Sequence, residues 1–435
     1  MTRPPVLGGT RLPAPLAASV RGAAGELAAR GVHVGSRVAV AAADPLPWLL
    51  GADLLGAATL VLEPSWTPIE TEAVLADARP DTVVDGVPAP SAVEVEPYGN
   101  GDTAFYLPTT SGSSGRPKVL QRTRASWLRS FAALPLPGDG PVLVPGPLSS
   151  SLFLFAALHA LHAGRRPVLM HRWHAPTAAE HATSCTVVHV VPAMLAALLD
   201  VLVQRPELRA ACTLRTVVCG GAAIGDPLRA RLRELLPACE LVEYYGSAEH
   251  SLIAIRRGDD TALRPVEGVD VEVRDGVLFV RSPLAFSGYL RAGELQPAPA
   301  GWSTVDDTAT LHTGGTLTLH GRGGSGVVES GGKLVAVEEV EAALRAVPGV
   351  RDVVVAGTPH AVFGALVTAV VEPDPAAPPA LPALRDAARA RLEPAKRPRR
   401  WLTVEELPRT PAGKPARAAI ASQLSAGALD AATLQ

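Results

Sequence analysis

Residues 186–235 read TVVHVVPAMLAALLDVLVQRPELRAACTLRTVVCGGAAIGDPLRARLREL, and the spacing of their apolar residues alternates between two regimes. The run 186–191 is continuous and short, as in a strand buried on both faces, whereas 194–203 spaces its apolar residues along one side of a helix. The same pair then repeats, with Thr216–Cys219 as a strand and 228–235 as a helix. Strand and helix in alternation predict an α/β layered domain. Upstream the rhythm is the same: a helix over 16–30, an apolar run at 38–42 and a second helical pattern over 48–58.

Beyond residue 260 the pattern turns to short strands, at 269–273, 277–281 and 316–319, set off by Asp-Gly and Gly-Gly turns, so a small β subdomain is expected. GRGGSG at 321–326 is a flexible break, followed by a helix over 337–347, strands at 353–357 and 365–371, and a helix over 381–393. The expected division is therefore an N-terminal domain over 1–322, a hinge at 323–326 and a small mobile α+β domain over 327–435. The segment PDPAAPPALP at 373–382 is a proline-rich loop inside the second domain, and no internal repeat is present.

The chain has 435 residues, 47% hydrophobic and 19% charged, too long for one ordinary domain and apolar enough for a large core. A formal net charge of -2 supplies no basic field to draw nucleic acid or anionic lipid, so neither partner is expected. Cys185, Cys212, Cys219 and Cys239 form no CxxC pair, which points to a reducing cytoplasm. The apolar stretches 46–62 and 151–163 are broken by Pro47 and Asp53 or by His159 and His162, short of a membrane span, and Pro4, Pro5, Gly8 and Gly9 interrupt any export signal. Positive charge is written as arginine, with lysine only at Lys118, Lys333, Lys396 and Lys414. A retained lysine hints at a tight phosphate or carboxylate contact that a planar guanidinium does not fit.

Residues 109–118, TTSGSSGRPK, form a hydroxyl- and glycine-rich turn after the apolar 105–107. Gly112 permits close approach, so backbone N–H groups and the hydroxyls of Thr110, Ser111, Ser113 and Ser114 can meet phosphate oxygens, with Lys118 adding a charge. The order is not GxxxxGK[ST], which excludes a P-loop, and serine-glycine stretches also serve as solvated linkers.

On these residues the chain resembles a known family: TSGSSGRPK is similar to the signature loop of the adenylate-forming superfamily of acyl-CoA synthetases, peptide-synthetase adenylation domains and luciferases. Further motifs follow in that family's order. GGAA at 220–223 resembles its Gly-Gly-Ala segment, which implies that Gly220, Gly221 and Ala222 lie beside the adenine and the acyl group; glycine after a strand is otherwise a turn. YYGSAEH at 244–250 resembles Tyr-Gly-x-Thr-Glu, which implies that Tyr245 stacks on adenine, that Gly246 and Ser247 line the nucleotide, and that Glu249 is a ligand for Mg2+ on the phosphates. Ala248 departs from the family's threonine.

GWSTVDDTATL at 301–311 looks like the segment ending in Thr-Gly-Asp, which assigns Asp307 to the ribose hydroxyls and leaves Asp306 at the usual glycine position. Arg322 matches the family's Gly-Arg, reaching ribose and phosphate, and Gly324 or Ser325 replaces the usual hinge aspartate. ESGGKLVAVEEVEAAL at 329–344 resembles the glycine-rich loop that closes over the thiol acceptor, here Ser330, Gly331, Gly332 and Lys333. LPRTPAGKPAR at 407–417 is close to the ending that carries the catalytic lysine, here Lys414. An acyl pocket is expected around Ser149, Ser150 and Phe153, with Gly220, Gly246, His189 and His250 as further candidates, although a buried helix and structural histidines are the plainer alternatives.

The resemblance implies ATP, Mg2+ and coenzyme A as cofactors. It further implies that a carboxylate attacks the α-phosphorus in line and pyrophosphate leaves, with Mg2+ on Glu249 and the ammonium of Lys414 offsetting the charge and Arg322 reaching ribose and phosphate, before the acyl group passes to a thiol. The C-terminal domain is expected to rotate about 323–325 between the two steps. A free-standing enzyme loading an acyl carrier protein, and a degenerate nucleotide-binding relative without turnover, remain as alternatives; a homodimer is possible.

Overall fold

A computed structural model of the chain describes residues 12–110, 117–221, 224, 226–260, 262–322, 327–408, 415 and 417–434. They divide into two compact units, the first built from Met1–Pro64, Val74–Thr110 and Lys118–Gly321, the second from Ser65–Ala73, Ser111–Pro117 and Arg322–Gln435.

The alternating segment builds the centre of the first unit. Strands Val187–Val190, Thr216–Cys219 and Glu240–Ser247 run parallel side by side, and every residue of the first two is buried, as continuous apolar runs require. Val142–Val144 joins parallel on the other flank, and Ser251–Arg257 folds back antiparallel on Glu240–Ser247. Successive strand residues face opposite sides: Val187, Val218 and Val242 share a core with helix Ser151–His162, while Val188, Val217 and Leu241 meet helices Pro192–Gln204 and Asp226–Leu235. The sheet is thus covered on both faces.

A second sheet in this unit has the strands Arg37–Val40, Ala58–Val61, Thr82–Val84 and Ala104–Tyr106 in parallel, then Lys118–Thr123, Gly288–Arg291 and Glu294–Pro297 added antiparallel. Helices Leu46–Leu54, Arg124–Ala133 and Ser151–His162 bury Leu49, Phe131 and Leu154 in one core with Val61, Phe105 and Val144 of the two sheets. Trp127 sits edge-on to Phe105 at 5.3 Å, Tyr106 at 5.2 Å and Phe155 at 5.5 Å. In the same interior Arg124 pairs with Asp53 at 2.7 Å, both side chains essentially excluded from water. The small β subdomain is a four-stranded sheet among the described residues, Asp270–Arg274, Val277–Arg281, Asp307–Leu311 and Leu317–Arg322.

The expected helix over 48–58 begins at Leu46, ends at Leu54 and gives way to the strand Ala58–Val61. Gly56, at φ 74°, supplies the left-handed residue that ends the helix, a stop masked in the sequence by the apolar residues around it.

The second unit is a sheet backed by helices Val337–Arg345 and Leu381–Arg391, whose Val340, Leu344 and Leu384 pack on Val353, Val355 and Val367. Its long antiparallel pair, Val350–His360 with Gly364–Pro373, extends beyond the expected strands at both ends, and Arg400–Thr403 lies parallel to it. Lys396 is buried here, its Nζ donating to Glu70 Oε1 at 2.6 Å and Glu339 Oε1 at 2.8 Å. Glu70 also closes a capping box with Thr67 at the start of helix Pro68–Ala78.

Candidate active site

The hairpin Glu240–Ser247 to Ser251–Arg257 carries the site at its tip. Its ladder shifts register between Tyr245 and Gly246, where a Cβ would run into the carbonyl of Ser251, so only glycine fits. Ser251 completes the turn at φ 58°. Three neighbours pin the tip. Arg122, 2% exposed, donates through Nη1 to the Ala248 carbonyl at 2.9 Å and through Nη2 to Leu284 O at 2.5 Å. The Phe286 N–H donates to the Glu249 carbonyl at 2.7 Å, and the Tyr289 hydroxyl donates to Glu249 Oε1 at 3.0 Å.

His250 follows Glu249, its N–H donating to Ser247 Oγ at 3.1 Å and its Nε2 lying 2.8 Å from Ser303 Oγ. Burial pushes this imidazole below its ordinary range, against the pull of Glu249 and Asp307, so it is neutral at pH 7. Asp307 comes from the β subdomain and accepts from the Tyr245 hydroxyl through Oδ2 at 2.5 Å. The preceding Asp306 adopts φ 63°, so an aspartate takes the left-handed conformation that glycine takes most easily, and the turn is made without glycine.

Lys118 opens strand Lys118–Thr123 opposite Thr110, and its Nζ lies 5.3 Å from the centre of the Tyr289 ring. Ser111, Gly112, Ser113 and Ser114 lie outside the described residues, as does Ala222. Gly220 ends its strand under the ring of Tyr244, with no room for a Cβ, and Gly221 turns the chain at φ 83°.

At the expected acyl pocket, Ser149 Oγ donates to Glu63 Oε2 at 2.7 Å, and Ser150 caps the helix Ser151–His162 without a side-chain bond. Phe153 is buried, its ring filling the space a Cβ on Gly146 would need. His189 lies deep on its strand, 1% exposed, and burial together with the positive Arg165 pushes its pKa to about 3. It is therefore neutral across the physiological range.

In the second unit Ser330, Gly331, Gly332 and Lys333 form the turn of a hairpin, the glycines at φ 58° and 79°, with the Gly331 N–H donating to Phe363 O at 3.0 Å and Lys333 exposed. Arg322 ends strand Leu317–Arg322, and its side chain lies outside what is described; so do Lys414 and the expected hinge 323–326.

The structure therefore brings Lys118, Tyr245, Gly246, Ser247, Glu249, His250 and Asp307 into one neighbourhood of the first unit. It adds Tyr289, Arg122 and Ser303 there, and Glu63 beside Ser149, all of which sequence reasoning missed. Each acts across more than 50 residues of chain except Tyr289, at 40, so no local spacing announces them. One ammonium, carboxylates on separate elements and aromatic faces suit a nucleotide triphosphate. Among the described residues no group of three or more His, Cys, Asp or Glu could hold a metal by itself. Mg2+ is commonly bound through one or two carboxylates and completed by substrate phosphates and water, so Glu249 is a residue that could hold it.

Comparison with known proteins gives a consistent result. Residues 85–290 match the family described as AMP-binding enzyme, and residues 339–414 match the AMP-binding enzyme C-terminal domain. An uncharacterized acyl-CoA ligase, YhfT of Bacillus subtilis (strain 168), is 28% identical over 88% of this chain and 87% of its own. A salicylyl-CoA synthase / salicylate adenylyltransferase of a Streptomyces species is 30% identical over 72% of this chain and 62% of its own. The solved amide bond synthetase McbA of Marinactinospora thermotolerans superposes with a TM-score of 0.83 at 26% identity, over 94% of both chains.

Proposed function

The chain belongs to the adenylate-forming family of AMP-binding enzymes, and from that premise we propose how its residues share the work of an AMP-forming acid–CoA ligase. The enzyme activates a carboxylic acid with ATP and transfers the acyl group to coenzyme A. In the first step a carboxylate oxygen bonds to the α-phosphorus as the bond to the β-phosphate oxygen breaks, and pyrophosphate leaves. In the second, the thiol sulfur bonds to the acyl carbon, AMP leaves, and the thiol proton passes to solvent.

Asp307 takes the ribose hydroxyls, Tyr245 the adenine face, and Lys118, with Thr110 and residues 111–114, the phosphates. Glu249 is the residue that would hold Mg2+, which when bound neutralises phosphate oxygens. Gly220, Gly221 and Ala222 present backbone to the adenine and acyl group, and at 220 the Tyr244 ring leaves no room for a side chain. Arg322 and Lys414 supply cationic contacts to the nucleotide, Lys414 at the α-phosphate, where a preorganised charge lowers the barrier most. The loop Ser330–Lys333 serves the second step, within the division 1–322, 323–326 and 327–435. The free cysteines suit a reducing cytoplasm.

For the acid, an aromatic ring is the reading with most support: one relative is named for salicylate, and the Phe153 ring packs on Gly146 in the stretch expected to form the pocket. Coenzyme A rather than a carrier protein is supported by the relatives' names.

The observation that carries this function is the convergence of Glu249 and Asp307, from a hairpin tip and a separate sheet, beside His250. Incubation with ATP, coenzyme A and single aryl or fatty acids, read by mass spectrometry, tests it. One AMP per thioester is expected with at least one aryl acid; ADP as the nucleotide product, or AMP without any thioester, overturns it.

A further inference from the structure

Tyr289 touches the two oppositely charged groups of the nucleotide site and belongs to none of the motifs above. Its hydroxyl donates to Glu249 Oε1 at 3.0 Å, and the face of its ring lies 5.3 Å from Lys118 Nζ, within cation–π range. The ring is fixed from a third side by Phe286, edge-on at 5.0 Å and 74°.

The backbone that carries it is built for this placement. Strand Gly288–Arg291 pairs antiparallel with Lys118–Thr123, Tyr289 opposite Leu120, and with Glu294–Pro297 on its other side. Gly288 adopts φ 150°, and a Cβ there would collide with the carbonyl of Gln296, so the strand reaches this register only with glycine before the tyrosine.

We propose that Tyr289 is a positioning residue that holds Glu249 and Lys118 apart and aims each at its own part of a metal-bound triphosphate. The inference rests on the reading of Glu249 as the metal-binding carboxylate. An ammonium and a carboxylate this close to a common ring gain by collapsing into an ion pair, which would neutralise both before ATP arrives. Among the described residues no ion pair joins Lys118 to Glu249. The phenol instead satisfies one carboxylate oxygen as a neutral donor and leaves the negative charge in place, while the ring face holds the ammonium by its quadrupole. Because a phenol at neutral pH donates its proton and brings no charge, it orients the carboxylate without competing for the cation.

Binding of ATP alone and of Mn2+–ATP, with Mn2+ as a spectroscopic stand-in for Mg2+, separates the two contacts. The holoprotein is titrated by calorimetry and by electron paramagnetic resonance of free Mn2+. Tyr289→Phe keeps the ring and loses the donor: Mn2+–ATP is expected to bind about 10-fold more weakly, with metal-free ATP unchanged. Tyr289→Leu removes the ring as well, and metal-free ATP weakens too. Glu249→Gln loses Mn2+–ATP affinity, and adding Tyr289→Phe to it causes no further loss. If Glu249→Gln weakens the metal complex but Tyr289→Phe does not, the tyrosine is packing only and this inference fails while the assignment of Glu249 stands. If Glu249→Gln itself binds Mn2+–ATP as the parent does, the assignment and the inference fall together. Equal weakening of both ligands in Tyr289→Phe, with a lowered melting temperature, also overturns it, since that is the signature of a loosened fold.

Discussion

The hydroxyl of Tyr245 and the carboxylate of Asp307, 62 residues apart in the chain, meet in a 2.5 Å hydrogen bond. The contact ties the hairpin that carries Glu249 to the small β sheet, and so links the residues proposed for the adenine and ribose ends of the nucleotide site. A charged acceptor aimed at ribose hydroxyls contributes more than the phenol that steadies it. Asp307→Ala is expected to raise the KM for ATP by about 10- to 100-fold, and Tyr245→Phe, which keeps a ring for stacking, by less than about 10-fold. Steady-state kinetics in ATP decide the order; a Tyr245→Phe penalty exceeding that of Asp307→Ala would reverse the assignment.

Arg124 and Asp53 test the packing beneath the site. Their side chains are 0% and 1% exposed, and Arg124 also donates to the Tyr98 carbonyl at 2.7 Å. Removing one partner strands a buried charge, so Arg124→Met should cost about 3–5 kcal/mol of stability in denaturant unfolding. Replacing both, as Arg124→Met with Asp53→Leu, should recover part of that loss. A double variant as unstable as the sum of the singles would show that the pair is not coupled.

Glu339 gives the second unit a pH dependence of defined sign. Burial, reinforced by the charges of Glu70 and Glu393 and opposed by Lys396, raises its pKa to about 7. Between the unfolded value near 4.5 and about 7 the folded chain keeps a proton the unfolded chain has released, so this group lowers stability as pH rises through that window. Glu70 acts in a different range: burial raises its pKa, the bonds from Lys396 and Thr67 outweigh that, and its contribution is lost only as pH falls below the ordinary carboxylate range. Lys396, raised by Glu339 and Glu70 against its burial, loses its contribution only in strong alkali. Glu339→Gln should therefore flatten the stability profile between pH 5 and pH 8 by about 1–2 kcal/mol. Parallel profiles for variant and parent would show that Glu339 ionises in the fold as it does in water.

In the proposed function Lys414 serves the first of the two steps. Lys414→Ala is expected to slow adenylation roughly 10²–10³-fold, the loss from removing one preorganised contact to developing charge. Thioester formation from supplied acyl-adenylate should survive. Equal loss in both half-reactions would assign the lysine to binding or folding instead.

Much of the fold was legible because buried parallel strands must be apolar on both faces: the runs at 187–190 and 216–219 can hardly be anything else. Where reading failed, local identity was overruled by conformation. Gly56 ended a helix whose apolar pattern continued through it, and Asp306 took a left-handed turn that its residue type does not require. Of the site, the stretch 244–250 could be read as one unit because a hairpin tip keeps neighbours in sequence neighbours in space. Tyr289, Arg122 and Ser303 could not, since each matters only through what the strand pairing of distant segments brings beside it. The scarcity of lysine was a better guide than it first looks: Lys396 sits 2% exposed between two carboxylates, a place where a compact ammonium fits and a planar guanidinium does not.

The most direct test of the central claim is exchange of labelled pyrophosphate into ATP by the purified enzyme, with single carboxylic acids and no coenzyme A. The account predicts exchange that requires the acid, proceeds without the thiol and falls in Glu249→Gln. Exchange that ignores the acid, or a thioester formed with no exchange at all, would contradict it.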